Sequence, residues 1–203
     1  MDLFDAITSR ASVRSYTDDT VDRDDLTKIL EAGVRAPNSE NEQPWQFVVV
    51  QDREIIERIG RHSQMGAKAL FSPQRQALNE RFAGMPEEKR KALIEDMATG
   101  RFFTFIGRAP VVIVVLADSS KGHAVHSASA AIENICLAAH GLGLGACWTM
   151  VATGDTTIEQ RVRQELGRPE DNWEVAGIIT LGHPTRMPRP RPRRPLTDVV
   201  DWL

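Results

Sequence analysis

The sequence predicts one domain that mixes helices with about four strands. Three observations carry this reading. Short, β-branched apolar runs occur at Gln46 to Gln51, Val111 to Ala117 and Trp173 to Gly182. Segments with helical periodicity lie between them. No internal repeat or linker divides the 203 residues, a length that buries roughly 70% of the unfolded surface.

Taken in order, residues 2–9 read as a short helix. A second helix starts at Asp22, with Asp25 three residues on, shows Leu26, Ile29, Leu30 and Val34 on one face, and stops near Pro37. Gln46 to Gln51 reads as a buried strand, and residues 53–60 as a brief amphipathic helix through Ile55, Ile56 and Ile59. Residues 61–107 are polar, with a helix opening at Pro86 and running through Met97. Phe102, Phe103 and Phe105 then fall within four residues, as a core strand would require, or an aromatic lid over a planar ligand.

Val111 to Ala117 is a second buried strand. From Ala124 to His140 the only charged residue is Glu133. A helix apolar all round must be covered on all sides, so it is either central or part of a subunit interface. An apolar strand follows the glycines at 141–145. Thr156-Thr157-Ile158-Glu159 reads as a capping box, with its helix ending at Gly167. Trp173 to Gly182 is the last strand.

Composition narrows the function. With 41% hydrophobic and 26% charged residues, global disorder is excluded. The longest apolar run, Val111 to Ala117, is far below the ~20 residues of a membrane span. The acidic start, Met1-Asp2-Leu3-Phe4-Asp5, shows no signal-peptide pattern. Two cysteines, Cys136 and Cys147, build no disulfide framework, and no Cys/His cluster has zinc-finger spacing, which fits a reducing, cytoplasmic compartment. His123 and His126 form an H-x-x-H pair without a third ligand nearby, so no metal is expected. The net charge of −3 argues against general nucleic-acid binding. Residues 186–194 hold five arginines and no acid, leaving −8 on the rest of the chain. A basic tail on an acidic body points to a local anion, or to a Pro-rich ligand for a recognition domain.

Three segments carry chemistry. In Arg10-Ala11-Ser12-Val13-Arg14, two guanidiniums and a hydroxyl at alternate positions of an extended chain point to one side, the geometry of an anion clamp. Ala36 to Phe47 (APNSENEQPWQF) locks short polar side chains between prolines, offering donors and acceptors to a heteroaromatic edge. Gly141 to Trp148 (GLGLGACW) formally matches G-x-G-x-x-A, but a helix precedes it and a strand follows. That order excludes a Rossmann fingerprint, and the glycines are read as letting backbone approach a flat ligand.

These segments, followed by an arginine-rich tail that closes in Pro195-Leu196, resemble the FMN-dependent nitroreductases in family order, from residue 3 to residue 199. The resemblance implies an α+β sandwich, a central mostly antiparallel sheet flanked by helices. It also implies a domain-exchanged homodimer with the apolar helix in its interface. It treats 1–203 as one domain, with 61–107 a variable lid-like insertion and 184–203 a C-terminal extension. It implies FMN as cofactor, NADPH or NADH as electron donor, and hydride passing through flavin N5 to a small nitroaromatic or quinone-like acceptor by ping-pong kinetics. No protein nucleophile is needed.

By the same resemblance, Arg10 and Ser12 match phosphate-holding positions, and Arg14 matches the cation near the N1/O2 edge of the flavin ring. A fixed cation there favours two-electron reduction. Ser39 and Asn41, with Pro37, Asn38 and Gln43 in the same loop, match residues that reach the ring and ribityl chain from the other subunit. Trp148, Thr149 and Met150 match the flavin-side strand end, and Arg191 and Arg193 the tail cations. Arg101, Phe102 and Phe103 are the substrate-lid candidates. Asn38 stands where Ser is common, and Met150 and Val151 where small or acidic residues are common. Glu133 and Asn134 are expected to pair across the dimer axis, and His183 is unassigned. Two other readings keep the flavin: a dehydrogenase or desaturase of a biosynthetic substrate that returns electrons to oxygen, and a protein that sequesters flavin.

Overall fold

The computed structural model of the protein describes residues 1–153, 155–170 and 172–203. Helix α1 (Leu3–Ser9) and α2 (Arg23–Val34) precede strand β1 (Trp45–Val50). Helices α3 (Arg53–Phe71), α4 (Arg75–Arg81) and α5 (Glu87–Ala98) follow, then β2 (Val111–Asp118), α6 (Ala124–Gly141), β3 (Gly145–Thr149), α7 (Thr156–Glu165) and β4 (Trp173–Gly182). The four strands form one antiparallel sheet in the order β1-β2-β4-β3.

Strand β2 is central because it is apolar on both faces. Ile113, Val115 and Ala117 meet α2 and α6 on one side. Val112, Val114 and Leu116 meet α3, α7 and the Phe103–Ile106 turn on the other. Its register with β4 shifts between Val115 and Leu116. Gly177, opposite Val115, lies under the Trp148 indole, where a Cβ would come within 2.3 Å of Nε1.

Several expectations change. The first strand spans Trp45–Val50 and only Val50 is buried, because β1 has one neighbour and forms a sheet edge. The helix expected over 53–60 continues to Phe71. Its continuation packs on Ser63, Gly66 and Ala67, small residues that do not register as an apolar stripe. Arg101 to Phe105 is no strand. Gly100, at φ +81, turns the chain into 3-10 helix over Arg101–Phe103. Phe103 and Phe105 are nonetheless core, with Phe103 stacked on Phe71 at 5.8 Å.

Capping also differs. Asp22 makes no capping hydrogen bond, and Asp25 pairs with Lys28 instead. Helix α7 is capped by Asp155, whose side chain accepts from Thr157 and Ile158 N–H, while Glu159 accepts from Val175 N–H. Helix α6 packs against α2 and the sheet, while along one stripe Val125, Ser129, Ala130, Leu137 and Ala138 stay exposed or partly exposed within the chain. Glu133 and Asn134 have partners in their own chain: Arg10 for the first, and the Ala32 carbonyl, which accepts from Asn134 at 3.0 Å, for the second.

Candidate functional site

The Arg10–Arg14 segment leaves α1 and runs beside β3. Ser12 bridges Ala146, and Val13 N–H donates to the Ala146 carbonyl (2.9 Å). Val13 is buried, and it fits because residue 145 is glycine: a Cβ there would lie 2.7 Å from the Val13 side chain. With Val13 turned inward, the period of two turns Ser12 and Arg14 outward. At Gly145 the missing Cβ therefore makes room for a protein side chain. The Tyr16 hydroxyl donates to the Val13 carbonyl (2.6 Å) and lies 2.7 Å from the Thr180 hydroxyl. Burial pushes the Tyr16 phenol far above its ordinary range, against the opposing pull of the Thr180 hydrogen bond, so it stays neutral as a pin.

The tail is attached to the same segment. Thr17 N–H donates to the His183 carbonyl and Thr185 N–H to the Ser15 carbonyl. His183 bonds through Nε2 to the Thr20 carbonyl at 3.2 Å and stays outside the cleft described next.

Beyond Thr185 the tail turns back and closes one wall of a cleft of about 420 Å³. Arg10, Ser12 and Arg14 form its floor, with Arg189, Arg191 and Arg193 along the tail. The same cleft is also lined by apolar side chains: Phe82 at the end of α4, Leu93 and Met97 on α5, and Phe102. The cleft thus combines cationic and apolar lining. Such a cavity suits a molecule with an anionic end and a flat apolar body.

Two of its cations are held in place. Arg10 Nε lies 3.1 Å from Glu133 Oε1, and the neighbouring Ser9 Oγ lies 2.7 Å from Nε2 of buried His140. Desolvation, and then the charge of Arg10, lower the His140 pKa below its ordinary value of 6.5. The Arg14 guanidinium sits 5.6 Å from the Phe102 ring centre and 5.7 Å from that of Phe105, within cation–π range.

One cleft therefore gathers Arg10, Ser12, Arg14, Phe102, Arg191 and Arg193. Phe103 lies outside it, packed in the core. Arg101 also lies outside and pairs with Asp96 at 2.9 Å. The 37–43 loop stands elsewhere on the chain. Glu40, Asn41 and Gln43 have positive φ (52°, 56° and 49°), and the turn is closed by Gln43 N–H donating to Asn38 Oδ1 (2.8 Å). Pro37, Asn41 and Gln43 are exposed, while Asn38 and Ser39 are half-buried. Trp148 packs its ring against the α6 side of the sheet, with its indole N–H buried and unpartnered among the described residues. Thr149 is buried at the end of β3, and Met150 is 56% exposed beside it.

Sequence reasoning missed Phe82, Leu93, Met97 and Arg189. Leu93 and Met97 stand four apart on α5, a spacing that was available, but Phe82 lies in a polar stretch with no periodic signal. Among the described residues, no group of three or more His, Cys, Asp or Glu side chains could hold a metal ion.

The sequence profile of the Nitroreductase family matches residues 7–183. A Methanothermobacter thermautotrophicus protein, provisionally named NADH dehydrogenase/NAD(P)H nitroreductase, is 33% identical over 94% of this chain and 82% of its own. The iodotyrosine deiodinase of Thermotoga neapolitana is 24% identical over 98% of this chain and 95% of its own. Among solved structures, an FMN-dependent nitroreductase of Clostridium difficile superposes with a TM-score of 0.73 at 25% identity, over 98% of both chains.

Proposed function

This chain belongs to the nitroreductase family, and on that premise we propose that it is an FMN-dependent oxidoreductase. It takes hydride from NADPH or NADH and reduces small nitroaromatic or quinone-like acceptors in a ping-pong sequence. The observation that carries this reading is the cleft lined by five guanidiniums and Ser12 together with Phe82, Leu93, Met97 and Phe102. The donor set fits FMN, which joins a phosphate to a flat, largely apolar ring. When bound, FMN supplies the centre that accepts and returns hydride.

The chain's own residues bind, orient and exclude water. Arg10, Ser12, Arg191 and Arg193 would hold the phosphate through charge-assisted hydrogen bonds. Arg14, fixed against two aromatic rings, would present a cation to the ring edge. Phe102 and the α4–α5 side chains would keep water from the ring. No side chain is needed as nucleophile.

A homodimer completes the reading. Within one chain, one side of α6 stays partly exposed, and the terminal Leu196, Val199, Trp202 and Leu203 are exposed. A second copy would cover these surfaces and bring the 37–43 loop, with Ser39 and Asn41, to the cleft. Trp148, Thr149 and Met150 would border the site from the end of β3. No described helix is long and apolar enough to cross a membrane. Both thiols are free and buried, which is compatible with a reducing, cytoplasmic setting.

The test is an absorbance spectrum of the purified protein before and after anaerobic NADPH and NADH. Flavin bands that bleach with either nucleotide support the reading. A flavin that neither nucleotide bleaches favours a dehydrogenase reduced by its own organic substrate. A colourless protein that cannot be reconstituted with FMN overturns both.

A further inference from the structure

Five guanidiniums are more than one flavin phosphate uses. Glu133 already offsets Arg10. Arg14, Arg189, Arg191 and Arg193 then leave four positive charges on the cleft, against about two negative charges on a phosphomonoester at pH 7. Cations at this density repel one another, so an arrangement that holds them together suits more anionic charge than FMN brings.

The tail holds them at low entropic cost. Pro188, Pro190 and Pro192 alternate with Arg189, Arg191 and Arg193. Each proline fixes its own φ and pushes the residue before it into extended backbone, so Arg189 and Arg191 are restricted as well. All three guanidiniums line the cleft.

Three of the four cations already have a role or an anchor. Arg14 is seated against Phe102 and Phe105. Arg191 and Arg193 are tied together, Arg193 Nη1 donating to the Arg191 carbonyl at 3.0 Å, and serve the phosphate in the reading above. Arg189 lines the same cleft, is exposed, and has neither an ion pair nor a hydrogen bond among the described residues.

We propose that Arg189 forms a second anion subsite of the cleft. It takes an anionic group on one of the two molecules that exchange electrons with the cofactor. That group is the phosphate that distinguishes NADPH from NADH or a carboxylate on an aromatic acceptor; both offer oxygens that a guanidinium grips in the same way. The inference rests on the FMN reading.

The experiment uses FMN-loaded protein and follows ligand-induced shifts of the flavin absorbance. One arm compares 2′,5′-ADP with 5′-AMP, the other 4-nitrobenzoate with 4-nitrobenzamide. In one arm the more anionic ligand should bind about tenfold more tightly, and Arg189→Gln should reduce that preference to about twofold or less. Preference in the first arm identifies the nucleotide phosphate, and in the second the carboxylate. Arg186→Gln, at a position outside the cleft, should keep the preference. No preference in either arm, or one that survives Arg189→Gln, overturns the subsite while leaving bound flavin as evidence for the family reading. Failure to take up FMN overturns the reading itself.

Discussion

The Arg10 guanidinium is held by Glu133, Nε to Oε1 at 3.1 Å, across 123 residues of chain. The contact uses one edge of the guanidinium and leaves the remaining N–H groups to the cleft. The pair is partly exposed, so its contribution to folding is small, about 0.5 kcal/mol. Its effect belongs to binding. Glu133→Gln should weaken FMN binding by about three- to tenfold through loss of orientation, with little change in melting temperature. Tighter binding, measured by quenching of flavin fluorescence, would show that the removed negative charge outweighs the lost positioning.

Arg14 and Arg193 are predicted to separate potential from affinity. Arg14→Ala should lower the two-electron potential of bound FMN by about 30 mV or more, which is ~1.4 kcal/mol for this couple, and weaken FMN binding as well. Arg193→Ala should weaken binding with little change in potential. Equal shifts in spectroelectrochemical titrations of both variants would abolish the division between ring edge and phosphate.

Gly145→Ala tests the anchoring of the clamp. The new methyl would meet Val13 at 2.7 Å, and overpacking of this kind costs about 1–3 kcal/mol. Chemical denaturation should show that loss, accompanied by weaker FMN binding because Ser12 and Arg14 flank Val13. The double variant Val13→Ala/Gly145→Ala should recover part of both.

His140 predicts an acid-side loss of stability. Its folded pKa lies below its ordinary 6.5, from burial and then from Arg10, so the unfolded chain takes up the proton first. The histidine's contribution is complete above about pH 6.5 and falls as pH drops from there toward the folded pKa. For one proton the slope is at most about 1.4 kcal/mol per pH unit. Melting temperatures from pH 7.5 to 5.5 should fall in the wild type and less steeply in His140→Gln. Parallel curves would remove His140 as the cause.

How far these features were legible in the sequence depends on the range of the interaction that makes them. Trp173–Gly182 could be read with its bounds because a β-branched apolar run reports its own burial. The outward alternation of Ser12 and Arg14 was likewise local. The second half of α3 was hidden because small residues make its buried face. The turn at Phe102 and Phe103 depends on the left-handed Gly100, and three phenylalanines in four residues suggested strand instead. Arg10–Glu133 and the meeting of α5 with the arginine tail are tertiary events, without a signal in either segment alone. The resemblance to a flavoenzyme family rested on motif order, which survives such local misreadings.

The central position of β2 has a consequence for how the protein behaves when empty. Val112 to Leu116 are covered on both faces and paired on both edges, so their amide hydrogens should exchange with solvent only when the whole chain opens. The arginine tail and the 37–43 loop have little of that covering, and their amides should exchange through local fluctuation. Removing the cofactor would therefore loosen the rim of the cleft and leave the slow-exchanging centre intact. The apoprotein would be a folded, refillable vessel rather than a denatured one.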